Sequence, residues 1–449
     1  MNPTLIPFVA FEHYMLADDR PTHSMTCHMH FWFTGKFDRN LFEKALKETL
    51  PRHPIFQMTV VGSAKSKTRE IFWKPVTELT MPFISWAGDD TPIDEPPGGM
   101  AQDITKEIGL RLWIRESPDI KKPQTMLMVQ FHHSVCDGLG IFQFVEDLLT
   151  IYGTFSGLVM PPLRKIDSSL FPRRGDFSIS RPDWRARRHL DLARAKSFIR
   201  TIARPLASPD KGSTALTQKA NPLASERIIL EPMTLEKIRS EARAHGASVN
   251  DLLLRDLFYV LAGWNAELGK KSLWTRIAVA TSLRGPVEEH MSAANIVSMV
   301  FLSRKFKHVF SADLLPSIIC EMKDIKDNKL GMALPRVMMK LGQYPGGIYR
   351  FLHLPACSTT AVLTNLGRPF ADSKLTDQDG ILRVGDITLD SLESIPPVRP
   401  RTSASFSVNY YGGALSITLK YDSTHLTKQT ARRLLERYCE QLKQKTVSS

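Results

Sequence analysis

Cysteine is scarce in this sequence. Five occur in 449 residues, Cys27, Cys136, Cys320, Cys357 and Cys439, and no two stand in a C-x-x-C spacing. That excludes a disulfide framework and a zinc ribbon, and it points to a reducing, cytosolic compartment. No run reaches the roughly 18 consecutive apolar residues of a membrane-spanning helix. The stretch from Met1 to Glu12 has no basic segment ahead of an apolar one, which argues against a secretory signal. A G-x-S-x-G elbow is missing, so a serine hydrolase is not indicated. Gly138-Leu139-Gly140 lacks the third glycine of a dinucleotide fingerprint. No short-period repeat is visible.

What is present is enough apolar residue, 43%, to build a sizeable core. The length suggests two or three domains. The net charge is +13, from 59 Lys and Arg against 46 Asp and Glu. It is concentrated: Arg173 to Arg204 holds ten basic residues and three acidic ones. Asp183 is placed to cap a helix running to about Ala203, with Pro205 as its stop. Trp184, Leu190, Leu192, Phe198, Ile199 and Ile202 do not form one stripe on it, so it reads as a solvated linker helix, with a membrane-contacting helix as the alternative. The segment lacks the regular Arg and aromatic interleaving of a nucleic-acid site, so no nucleic-acid partner is expected. Ser208 to Ala224 reads as a loop. The expected division is therefore 1–175, a basic linker over 176–222, and 223–449.

Both flanking regions alternate strand and helix patterns, so the fold class is mixed α/β. In the first, Met25 to Phe33, Ile55 to Val61, Glu70 to Trp73, Leu110 to Arg115 and Thr125 to Phe131 read as strands. The last is a continuous apolar run, as in a strand buried on both faces. Asp38 caps a helix over Arg39 to Leu50, and Gly138 to Tyr152 is a second. Further on, Arg227 to Leu230, Ile277 to Ala280, Ile296 to Leu302, Thr360 to Thr364, Ser403 to Tyr411 and Ala414 to Tyr421 read as strands, the last two joined at Gly412-Gly413. Helices are expected over Thr234 to His245, from Ser248 to about Leu268 with a capping box at Ser248 and Asp251, and over Thr424 to Lys443.

One segment carries chemistry. His132-His133-Ser134-Val135-Cys136-Asp137-Gly138 links the buried strand to the helix after it, and the ends of buried strands are where such folds place ligand chemistry. Adjacent histidines on a strand point to opposite faces, so one of the two enters a given cavity. A neutral imidazole there suits activation of a hydroxyl or amine against an acyl carbonyl. The Gly138 amide, at a helix start, is a candidate oxyanion donor. Cys136 reads as packing. His28 and His30 share a strand face near His23, but no fourth ligand is placed, so no metal site is assigned.

The segment matches HHxxxDG, and on that motif the chain resembles the CoA-dependent acyltransferase superfamily: chloramphenicol acetyltransferase, peptide-synthetase condensation domains and bacterial wax ester synthase/diacylglycerol acyltransferases. Other landmarks follow in order: Pro7 to Asp19, Phe37-Asp38, Leu50 to Pro54, Val249 to Leu254, Ser282-Leu283-Arg284, Asn295 to Ser298, and Thr364-Asn365-Leu366-Gly367. The opening lacks PLSPLD, and TNLGRP stands where relatives carry SNVPGP, which favours the condensation-like branch. The plant DFGWG motif is absent. The resemblance implies two chloramphenicol-acetyltransferase-like subdomains around a central tunnel. His133 would be the general base at its centre, with His132, Asp137 and Gly138 completing the catalytic set. Asp137 would pair with Arg284 as a structural contact, and Asn365 and Gly367 would line the substrate tunnel. The implied activity is transfer of an acyl group from a thioester donor, acyl-CoA or an acyl carrier protein, to a hydroxyl or amine acceptor, with no further cofactor. The alternatives are a peptide-synthetase-type condensation enzyme and a non-catalytic lipid- or carrier-binding relative. A carrier protein and a peripheral membrane contact are the partners this reading allows.

Overall fold

A computed structural model describes residues 4–119, 121–176, 188–270 and 273–444. In chain order the first seven strands are β1 (Ile6–Pro7), β2 (Thr26–Thr34), β3 (Met58–Val61), β4 (Phe72–Pro75), β5 (Phe83–Gly88), β6 (Leu110–Glu116) and β7 (Gln124–His132). The other eight are β8 (Ser225–Leu230), β9 (Trp274–Ser282), β10 (Val297–Lys305), β11 (Ala361–Asn365), β12 (Arg383–Val384), β13 (Ile387–Ile395), β14 (Ala404–Tyr411) and β15 (Ala414–Tyr421). The main helices are α1 (Ala10–Asp18), α2 (Arg39–Thr49), α3 (Gly138–Phe155), α4 (Arg188–Arg200), α5 (Pro232–Ala244), α6 (Val249–Glu267), α7 (Leu314–Asp327), α8 (Ala333–Leu341), α9 (Gly347–Leu352) and α10 (Lys428–Gln444).

Two six-stranded sheets carry the fold, in the orders β12-β13-β2-β7-β6-β5 and β10-β9-β11-β14-β15-β8. β7 lies between β2 and β6, antiparallel to both. That interior position, with α3 packed over one face, accounts for its unbroken apolar run. Each sheet has its own hydrophobic core. This is the expected mixed α/β architecture of two sheet-bearing halves. The sheets are linked by exchange: β12 and β13, from late in the chain, complete the first sheet, with β13 antiparallel to β2 and packed beside β14 and β15.

Several elements differ from the sequence reading. Ile55 to Val61 was expected to be one strand, but a 3-10 turn covers Pro54–Gln57 and the strand begins at Met58; Pro54 suits the first position of such a turn. The last helix starts at Lys428, not Thr424. α1 carries no amphipathic period because nearly all of it is buried, including Glu12, His13 and Asp18. β13 was missed because a bulge between Leu389 and Ser391 breaks the two-residue alternation.

The basic segment also changes character. Asp183, Trp184, Arg185 and Arg187 lie outside the described residues, and α4 ends at Arg200, short of Ala203. Arg174 is buried in the core, its Nε 2.6 Å and its Nη2 2.8 Å from the Glu12 carboxylate. Trp73 Nε1 donates to the same carboxylate at 2.9 Å. Arg194 pairs with Glu321 and Asp324. Part of the charge therefore serves internal packing rather than an open surface.

Candidate active site

β7 ends at His132, and the chain turns through Ser134 to Cys136 into α3. Asp137 is the N-cap of that helix: its Oδ1 accepts the Gly140 N–H at 2.9 Å, relieving one of the donors a helix start leaves without a partner. Its Oδ2 accepts from Arg284 Nη1 and from the Ile296 N–H, both at 2.7 Å. With both oxygens engaged and only 4% exposed, Asp137 ties the motif loop to the far half of the chain and has no lone role left for proton transfer. Arg284 also donates to the Ala294 carbonyl at 3.1 Å.

The backbone of His133 is held from two sides. Its N–H donates to the Met25 carbonyl at 2.8 Å, and its carbonyl accepts from Asn295 Nδ2. The His133 ring lines a cavity of about 240 Å³. Among the described residues no other side chain is hydrogen-bonded to the ring; its bonds are to the backbone of His133 and Cys136. Burial pushes its pKa below the ordinary histidine value; the neighbouring His132 works in the same sense, and the Asp137 charge and the hydrogen bonds to the backbone of His133 and Cys136 oppose them. The imidazole is therefore neutral near pH 7 and able to take a proton.

His132 does not reach this cavity. It is fully buried, its Nδ1 accepts the Ser134 N–H at 3.1 Å, and its Nε2 faces the Asp19 carboxylate at 3.7 Å. The structure thus separates the two histidines into one packed ring and one cavity-facing ring. Cys136 is equally buried, and burial pushes its thiol well above the ordinary range; the same holds for Cys27 on the cavity wall. Neither supplies a thiolate nucleophile.

Gly138, Arg284, Asn365 and Gly367 line the same cavity as His133 and Asp137. A Cβ on Gly138 would meet Leu366 Cδ2 at 2.9 Å and Met29 Cε at 3.0 Å, so glycine keeps that wall open. Asn365 ends β11; its Oδ1 accepts the Gly367 N–H at 3.0 Å, and its Nδ2 donates to Tyr410 Oη at 3.1 Å and Asn250 Oδ1 at 3.3 Å. Gly367 has φ +68°, a conformation that favours glycine. The turn is built, and it brings the start of α6 against the end of β11.

Residues that the sequence reading left without a role complete the site. His53 is buried; its Nδ1 accepts the Ala293 N–H at 3.0 Å and its Nε2 lies 3.2 Å from Asp147, which also accepts from Arg52 Nε at 2.7 Å. Burial raises the Asp147 carboxyl, and the bonds and charges of His53 and Arg52 more than reverse that. Residues 293–296, held this way at one end, then carry Asn295 and Ile296 to the motif. At the other wall of the cavity stand Tyr14, Asp18 and Arg399, with Asp18 fully buried and ion-paired to Arg399 and Arg20. Tyr14 and Asp18 fall in the Pro7–Asp19 landmark, but no local pattern gave them or Arg399 a role. A second cavity of about 400 Å³ shares Tyr14, Met299, Phe301 and Arg399 with the first and is walled by Leu330, Leu334, Val337 and Leu352. Both are lined mostly by apolar surface, and they adjoin at these shared residues. Among the described residues, no group of three or more His, Cys, Asp or Glu is placed to hold a metal ion, and no helix is long and apolar enough to cross a membrane.

No family model and no curated protein matches the chain. Solved structures do. The condensation domain of the monacolin K polyketide synthase MokA is 17% identical, with a TM-score of 0.67 over 99% of this chain and 98% of its own. The first condensation domain of the calcium-dependent antibiotic synthetase, solved with a substrate analogue, is 13% identical, with a TM-score of 0.70 over 99% of this chain and 97% of its own. The X-domain from teicoplanin biosynthesis is 15% identical, with a TM-score of 0.63 over 100% and 96%. The chain therefore has the condensation-domain fold over its whole described length.

Proposed function

We propose that this chain is an acyltransferase of the condensation type, moving an acyl group from a thioester donor to a hydroxyl or amine, with His133 as general base. The carrying observation is the His133 ring: neutral, backbone-clamped, and facing an apolar cavity between two sheets. The acceptor's lone pair attacks the thioester carbonyl while the His133 ring takes its proton. The tetrahedral intermediate collapses with loss of the thiolate, which recovers the proton from the imidazolium. An ester or amide and a free thiol result. The Gly138 amide, in the first turn of α3, is the proposed donor to the developing oxyanion.

Structures of the same fold support this choice of substrate. One is the starter condensation domain of the rhizomide synthetase RzmA, in complex with C8-CoA and Leu-SNAC, at 13% identity and a TM-score of 0.66. The donor here is accordingly an acyl group on CoA or on a carrier protein, and the apolar space beyond Tyr14 suits an aliphatic chain. The test is free-thiol release from acyl-CoA and acyl-carrier donors against a panel of alcohols and amines. Wild-type protein is expected to turn over at least one pair, and His133→Ala to lose about 10²–10⁴-fold while keeping its fold. Silence across both donor types would favour a non-catalytic binding role.

A further inference from the structure

Residues 24–27, where the chain enters β2, face two different spaces. Met25 and Cys27 face the His133 cavity. Ser24 and Thr26, on the alternate side, face another cavity of about 430 Å³, walled by residues 99–101, 219–223, Pro397, Val398 and Lys420. This second space has a mixed lining, and some of the polar groups beside it have no partner among the described residues. Ser24 Oγ and Thr26 Oγ1 are buried without hydrogen-bond partners. Lys420 is 2% exposed, and its ammonium donates only to the Asn221 carbonyl, with no carboxylate in ion-pair contact among the described residues. Asp422, whose charge acts on Lys420, is committed to His23 at 3.1 Å and to Thr424.

The unsatisfied set continues behind the wall. His28 is fully buried with neither ring nitrogen partnered, and Gln102 has both amide atoms unpartnered. His28 stands opposite Gln130, and Gln130 opposite Arg111. Gln130 Nε2 and Arg111 Nη1 donate to the Met100 and Gly99 carbonyls, so they shape the wall rather than fill the space. Buried polar atoms are almost always hydrogen-bonded, and a buried ammonium needs a counter-charge. Two hydroxyls and an ammonium on residues lining one cavity are of the donor types that an oxyanion site uses.

We propose that this cavity binds a small molecule through a carboxylate or phosphate group held by Lys420, Ser24 and Thr26, at a site separate from the His133 cavity. Met25, between Ser24 and Thr26, is the residue whose carbonyl holds the His133 backbone, so an occupant would bear on the catalytic histidine through this segment. Burial pushes the Lys420 ammonium down to about 7, with Asp422 opposing. The other charged or titratable groups facing it are His28 from β2, His23 ahead of β2, and Lys219 and Glu95 at the cavity wall. An anion selects the protonated amine, so binding takes up a proton above neutrality.

The experiment is calorimetric titration of the full chain with acetate and, separately, with inorganic phosphate, at constant ionic strength. Saturable binding of either near pH 6, weakening by up to about 30-fold near pH 8.5 as the protonated fraction of an amine titrating near 7 falls, is the expected result; the two titrants tell carboxylate from phosphate recognition. Lys420→Met should abolish it. Should that variant not fold, the Ser24→Ala, Thr26→Val double variant serves instead and should lose affinity several-fold. His133→Ala should bind unchanged. Failure of both anions to bind near pH 6, or undiminished binding in the Lys420 or double variant, overturns the proposal.

Discussion

His53 and His133 occupy comparable surroundings and differ in what their nitrogens do. Both rings lie in the first half of the molecule, His53 buried and His133 half-buried, and removal from water lowers the pKa of both. His53 spends both nitrogens, one on the Ala293 N–H and one against Asp147. His133 has no side-chain partner among the described residues: its ring meets only the backbone of His133 and Cys136 and lines the cavity. Burial alone therefore does not mark a reactive histidine. A carboxylate partner on one side and an open cavity on the other separate the ring that holds the loop from the ring that can accept a proton, and the two are joined through residues 293–296.

The comparison can be broken by substitution. Asp137→Asn carries the largest expected effect on the fold: it removes the charge facing Arg284 and should cost about 3–5 kcal/mol, measured by chemical denaturation. A loss of under about 1 kcal/mol would show that the contact does not hold the two halves together. His53→Ala should cost about 1–3 kcal/mol, because it leaves the Ala293 N–H and Asp147 short of partners, while thiol release falls far less than in His133→Ala. The reverse ranking of turnover would exchange their roles.

The pH dependence follows from the lowered values of the two histidines. The unfolded chain titrates them at about 6.5, and the folded chain lower. Below about 6.5 the unfolded state binds more protons, so stability falls as the pH drops from there through the folded values. Equilibrium denaturation between pH 7 and 5 should show this slope, and His53→Ala should flatten it. The smallest effect is expected from Gly138→Ala. Its Cβ meets the flexible ends of Leu366 and Met29, so stability should change by less than about 1 kcal/mol while KM for the thioester rises as the cavity narrows.

How much of this was legible in the sequence depended on whether the signal was local. β7 and the start of α3 were legible because an apolar run ended at a histidine pair and an Asp-Gly helix start. The capping box at Ser248 and Asp251 was legible too, and both of its bonds are present. α1 was not, since a helix buried on all sides has no polar face to set a period. Nor was β13, whose bulge removed the alternation. The pairing of Asp137 with Arg284 was suggested by resemblance, not by any local pattern, and nothing near residue 295 announced that Asn295 reaches His133 across 162 positions. Long-range clamps of this kind leave no periodic trace.

The most direct test of the catalytic account is the pH profile of kcat/KM for thiol release, run side by side on wild-type protein and His133→Ala. The wild-type profile should be flat through neutrality and fall, as one proton is taken up, only below the ordinary histidine value; the variant should be low and without that limb. A variant that keeps the acid limb, or a wild-type limb lying above about 6.5, would contradict a neutral His133 acting as the base.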